Sequence, residues 1–94
     1  MQPLTDDESA QALSERPGWE RDGDAIVREV VLPDFAGAVA LVTRVADVAE
    51  AANHHPDILI HAYNRVRLRL TTHSAGGLTA SDFALARQID ELAP

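Results

Sequence analysis

Apolar positions along this chain recur with two periods, and each change of period marks an element. The first stretch is sparsely apolar, with only Leu4, Ala12 and Leu13 on one side. It opens at Thr5-Asp6-Asp7-Glu8, where Thr5 as N-cap and Glu8 three residues on make a capping box. A helix is expected from there to about Glu15, ended by Pro17-Gly18. Two extended runs follow, Trp19 to Arg21 and the β-branched run Ala25 to Leu32, joined across Asp22-Gly23-Asp24. Asp-Gly between extended runs predicts a hairpin. Asp34 then caps the longest helix, expected to end near Asn53. Phe35, Val39, Val42, Ala46 and Ala49 form one helical stripe, and Leu41, Val45 and Val48 form a second beside it. Two stripes imply contact with the sheet and with something else, a further helix or another subunit.

Beyond Pro56 the period changes to two. Pro56 pushes His55 into an extended conformation. Ile58 to Ala62 reads as a strand with Ile58, Ile60 and Ala62 toward the helices and Leu59 and His61 outward, and Tyr63-Asn64 reads as a turn. Val66, Leu68 and Leu70 then alternate with Arg65, Arg67 and Arg69, a half-buried strand with an arginine outer face. After the loop Gly76-Gly77, Thr79 and Asp82 cap a last helix reaching about Leu92. The order α-β-β-α-β-β-α predicts an α+β fold of two layers, a four-stranded antiparallel sheet with the helices on one face, in a single domain spanning 1–94. A sheet this small has two edges that must be blunted or paired.

Composition narrows the chemistry. The chain has 94 residues, enough for about one core. It has no cysteine, so thiol catalysis, disulfides and cysteine-held metal are absent. All eight bases are arginine, which removes Schiff-base chemistry and a P-loop lysine. The formal charge of −7 repels a free polyanion, so a nucleic-acid partner is not expected. No apolar run approaches the ~20 residues of a bilayer span. Phe35 to Val42, the longest, is half that. The N-terminal residues show neither a basic nor an apolar signal region, so a cytoplasmic protein without membrane contact is expected. Proton transfer near neutral pH falls to His54, His55, His61 and His73.

Three of these histidines lie in an informative arrangement. Glu50 and His54 are four apart at a helix end, a spacing at which the carboxylate is expected to orient the imidazole and favour its protonated form. His55 leaves the helix in another direction, and His73 lies just past the last strand, where sites assemble. On its own, Glu50 also fits a solvated last-turn acid, Asp82 a capping carboxylate, Tyr63 turn packing and Trp19 a core aromatic. No nucleophile elbow or phosphate loop is present, so the chemistry implied is proton transfer. A metal site of Glu50, His54, His55 and His73 is a rival, weakened by the absence of the usual HxH or HxxxH spacing.

The run Glu-x3-His-His-Pro-x6-Tyr-x9-His-x8-Asp, from Glu50 to Asp82, closely resembles the signature of pterin-4a-carbinolamine dehydratases. Gly18-Trp19, Arg28, Asp34-Phe35, Arg44-Val45-Ala46, Tyr63-Asn64-Arg65-Val66, Leu70 to His73 and Gly76 to Thr79 look like family positions in the family's order. Val30, Val31 and Leu32 stand where the family usually carries phenylalanines, and Ile58 where animal members carry an aromatic. The resemblance implies a dehydratase that needs no cofactor and no metal. Its substrate would be a 4a-hydroxytetrahydropterin, made when an aromatic amino acid hydroxylase uses its tetrahydropterin, and its product a quinonoid dihydropterin. By this likeness His54, His55 and His73 map onto the catalytic histidines. Asn53, Pro56, Thr72 and Ser74 map beside them as substrate-binding residues, with Glu50 and Asp82 in support. It also implies a homodimer or tetramer. The competing reading is a non-catalytic dimerisation or assembly module of the same fold.

Overall fold

The computed structural model describes residues 2–94. Its elements are α1 (Asp6–Ser14), β1 (Glu20–Asp22), β2 (Ala25–Val31), α2 (Phe35–Ala52), β3 (Asp57–His61), β4 (Arg65–Leu70) and α3 (Ala80–Leu92), with a 3-10 turn at His73–Ala75. The strands form one antiparallel sheet in the order β1-β2-β4-β3. The predicted α+β order is therefore the observed one. Among the described residues no helix is long and apolar enough to cross a membrane.

Local chemistry accounts for the boundaries. The Thr5 hydroxyl accepts from the Glu8 N–H while the Glu8 carboxylate accepts from the Thr5 N–H, satisfying two donors that a helix start leaves open. Asp34 caps α2 by accepting from the Gly37 N–H at 2.7 Å. Gly23 takes a φ of 59° in the β1–β2 turn, a left-handed conformation cheap only for glycine. The strand boundaries shift by a residue from the expectation: β1 runs Glu20–Asp22 instead of Trp19 to Arg21, β2 ends at Val31 instead of Leu32, and β3 begins at Asp57 instead of Ile58. β3 stops at His61, because Ala62 and Tyr63 both turn left-handed (φ 47° and 54°) to reverse the chain into β4. Ala62 therefore belongs to the turn and not to the strand's inner face.

The inner sheet face packs on α2 and α3. Ile26, Val30, Val66, Leu68 and Leu70 meet Ala38, Leu41, Val45, Ala49, Leu85 and Ile89, all buried. The two stripes of α2 are thus divided. The stripe with Leu41 and Val45 faces the core, and Ala49 joins it instead of the first stripe, because 100° per residue brings it beside Val45. Phe35 and Val39 remain 56% and 42% exposed. Ile58 also stays partly exposed, since β3 is an edge strand and the helices do not reach that far over it. Trp19 is a buried core aromatic, as expected, with its indole N–H donating to Asp90 Oδ1 at 2.9 Å. Arg16 and Arg28 reach the same carboxylate, so one acid on α3 ties down the chain after α1 and the strand β2. The outer face carries the arginine comb of β4 together with Leu59 and His61, as the alternation predicts.

Candidate active site

The site begins where α2 ends. Asn53 adopts the left-handed conformation (φ 49°, ψ 43°), and the His54 N–H closes back on the Ala49 carbonyl at 3.1 Å. This C-cap satisfies carbonyls that the last turn leaves open, and it reverses the chain. Pro56 requires an extended residue before it. Consecutive histidines are thereby given different surroundings at the edge of one cleft. The His54 side chain turns inward, 16% exposed, and that of His55 outward, 58% exposed.

The carboxylate partners differ from the expected pairing. Glu50 does not hold His54; its Oε2 accepts from His55 Nε2 at 2.6 Å. His54 Nε2 lies 2.5 Å from Asp82 Oδ1, on α3. The i,i+4 pairing fails for a simple reason: it requires both residues to be helical, and His54 lies beyond the reversal at Asn53.

Asp82 has no exposed surface, and a buried carboxylate is tolerable only when its oxygens are satisfied. They are. Oδ1 takes the His54 contact, and Oδ2 accepts from the Thr79 N–H at 2.9 Å and from the Thr72 hydroxyl at 2.8 Å. Asp82 is therefore both the capping carboxylate of α3 and the anchor of His54. Since Thr72 gives its proton to Asp82, its oxygen is left to accept from the Thr79 hydroxyl at 2.9 Å. A carboxylate accepting at His Nε2 places the ring proton there. Nδ1 is then the remaining nitrogen of both His54 and His55, able to take or deliver a proton.

A cleft of about 280 Å³ is lined by Asn53, His54, His55, Thr71, Thr72, His73 and Ser74. It brings together the end of α2, the end of β4 and the 3-10 turn. The His73 carbonyl accepts from the Gly76 N–H, but its side chain has no hydrogen-bond partner among the described residues, so neither ring nitrogen is committed. Of the residues expected from the sequence, Pro56 lies outside this lining, while Glu50 and Asp82 stand behind it as partners of His55 and His54. Sequence reasoning missed Thr71, whose signal was its place on the same alternating face as Arg69. It also missed the part of Thr79, visible only as a cap. Among the described residues no three His, Asp or Glu side chains are grouped to hold a metal ion. The fourth histidine, His61, lies on the outer sheet face and pairs with Glu29.

A small antiparallel α+β fold carries a cleft that gathers three histidines, two of them held by carboxylates, an arrangement able to exchange protons with a bound molecule. Comparison with known proteins gives the family. The family profile described as pterin 4 alpha carbinolamine dehydratase matches residues 2–92. A Thermomicrobium roseum protein provisionally named pterin-4-alpha-carbinolamine dehydratase is 58% identical over 93 residues, 99% of either chain. The crystal structure titled transcriptional coactivator/pterin dehydratase from Brucella melitensis superposes with a TM-score of 0.92 at 36% identity, covering 98% of this chain and 99% of that one. A pterin dehydratase-like protein identified as a RuBisCO assembly factor in the alpha-carboxysome shares the fold, with a TM-score of 0.64, at 20% identity over 80% of this chain and 86% of that one. The chain belongs to the pterin-4a-carbinolamine dehydratase family.

Proposed function

We propose that this protein is a pterin-4a-carbinolamine dehydratase, a hydro-lyase that removes water from a 4a-hydroxytetrahydropterin to leave a quinonoid dihydropterin. The observation that carries the reading is the cleft itself. His54, His55 and His73, the three histidines of the matched signature, line one cavity. His54 and His55 are each oriented through Nε2 by a carboxylate.

The reaction needs one proton delivered and one removed. A protonated imidazole gives its proton to the 4a-hydroxyl as the C4a–O bond breaks, and that oxygen leaves as water. A neutral imidazole takes a proton from a ring N–H, and the electron pair released forms the C=N bond of the quinonoid product. Hydrogen, oxygen and charge balance with no added group. Imidazoles suit both steps, since their ordinary pKa of about 6.5 keeps both forms populated near neutral pH. Asn53 and Ser74 line the same cleft, and in this reading they contact the pterin ring. The Thr72 hydroxyl is already committed to Asp82, so Thr72 serves the site from beneath. Pro56 serves by fixing the direction in which His55 leaves the helix.

The route of supply is a tetrahydropterin-dependent aromatic hydroxylase, and the dehydratase returns its cofactor toward reuse. The alternative, an assembly or dimerisation module, draws on the exposed Phe35 and Val39 of α2. It leaves the carboxylate-held histidines without a task. The test is dehydration of a synthetic 4a-carbinolamine followed by absorbance, with the protein in chelator-treated buffer. The expected result is a rate at least about 10²-fold above the spontaneous one, the scale of one general acid or base. A spontaneous rate in the presence of folded protein refutes the reading.

A further inference from the structure

We propose that the groove between α1 and the first turn of α3 docks a basic amphipathic helix of another protein. The groove has a volume of about 560 Å³ and shares no residue with the histidine cleft. Leu4, Ala12, Ala80 and Phe83 form its apolar floor. Asp7, Glu8 and Glu15, all exposed, stand along its rim. On the α1 side its lining recurs every three or four positions from Leu4 to Glu15, so the groove follows that helix along its whole length. Both flanks of α1 are fixed. The Leu4 N–H donates to the Leu78 carbonyl at 2.7 Å, and Arg16, beyond the helix, pairs with Asp90 on α3. The groove is therefore formed before anything enters it, which lowers the ordering cost of binding.

Size and charge spacing select a helix. At roughly 30 Å³ for each water-sized group, the groove takes about 18 non-hydrogen atoms, or about four leucine-sized side chains. That is the apolar face of about two turns of an amphipathic helix. Asp7 and Glu15 lie eight positions apart, about 12 Å at the rise of an α-helix. A partner helix laid along α1 meets both carboxylates with bases two turns apart and lowers its apolar side chains between them. A small organic cation engages one end of the row and leaves the other unmatched.

Charge selects the partner. No base lines the groove. The Asp7 and Glu15 carboxylates have no hydrogen-bond or ion-pair partner among the described residues, and Glu8 uses one oxygen on the Thr5 N–H. The formal charge of −7 adds a long-range field of the same sign. An acidic segment, a nucleic acid or an anionic bilayer is therefore repelled, and a basic segment is drawn in. A second copy of this chain does not supply one. Its α1 carries no base, α2 only Arg44 and α3 only Arg87, and the arginine comb of β4 lies on a strand. The occupant is thus a helix of a different protein, apolar on one face and flanked there by arginine or lysine. This inference is independent of the dehydratase reading.

The probe is a synthetic, end-capped peptide of about 15 residues, long enough to form a helix. It is built on alanine, with leucines at i, i+4 and i+7 and arginines beside that stripe two turns apart. One control peptide carries glutamates in place of the arginines, and a second has the same composition with the stripe scrambled. Calorimetry at low salt measures each against the full chain and two variants, with circular dichroism confirming the fold of both. Asp7→Asn with Glu15→Gln removes rim charge and keeps shape. Ala12→Gln pushes a longer side chain into the groove and keeps a good helix former in α1. The probe should bind the parent at least about tenfold more tightly than either control. The double variant should weaken it by about threefold or more, and by less as salt rises. Ala12→Gln should weaken it by at least about tenfold at any salt. Failure of the probe to bind, equal binding of the three peptides, or parental affinity in both variants overturns the proposal. Binding of the parent to phosphatidylglycerol vesicles that is lost in Ala12→Gln gives the groove to a membrane and overturns it as well.

Discussion

Asp82 shows how much one side chain can settle in a chain this short. One oxygen holds His54 and the other closes the cap of α3. His61 is the opposite case, a histidine with a carboxylate partner and no place in the cleft. Its hydrogen bond, followed by that of Arg65, holds the Glu29 carboxyl below its ordinary range. A lowered carboxyl pKa favours the folded state above the unfolded carboxylate range, and that contribution fades as pH falls through the lowered value. His61→Gln should let the Glu29 pKa rise toward its ordinary value, as an NMR titration of the side-chain carboxyl would show. Turnover should stay within about twofold of the parent, as for a surface substitution. A loss of turnover matching that of a cleft histidine would mean that the outer sheet face is part of the site. This partition was legible in the alternation of β3, because side-chain direction in a strand follows from counting.

At the scale of elements, legibility depends on whether a feature is local. Both capping boxes, at Thr5 and at Thr79, could be read from four residues each. The pairing of Glu50 with His55 could not. It depends on the left-handed turn at Asn53, and asparagine only permits that conformation without requiring it. The pairing of His54 with Asp82 spans 28 positions and exists only once α2 and α3 share a core. Thr72 joins these elements, since its hydroxyl links the end of β4 to the cap of α3. Thr72→Val removes a donor from a buried carboxylate, a change worth about 1.5–3 kcal/mol in stability. Denaturant unfolding should show that loss, and kcat should fall with it, because Asp82 no longer fixes His54 as firmly. Thr72→Ser restores the hydroxyl and should recover most of both. A valine variant with parental kcat would disconnect Thr72 from the chemistry.

At the scale of the molecule, the surface keeps several large apolar side chains exposed. Phe35 and Val39 stand out on α2, and Leu59 is 53% exposed on the edge strand β3. Unpaired edges and exposed apolar stripes are surfaces that proteins cover. We expect a homodimer or a tetramer, read by light scattering as a mass at least twice 10.2 kDa. A 10.2 kDa particle at micromolar concentration would contradict that. Two apolar stripes on the longest helix were readable from its sequence. Which of them meets the sheet was not, because only packing chooses between neighbouring faces of one cylinder.

The central claim is that proton transfer in this protein runs through the histidines of one cleft. The most direct measurement is the dehydration rate of His73→Ala and His54→Ala beside the parent, with circular dichroism confirming the fold of each. The His73 side chain is exposed and unpartnered, so its loss leaves the core untouched, whereas His54 leaves Asp82 behind it. Each substitution should lower kcat by at least about 10²-fold. Near-parental rates in both folded variants would contradict the account.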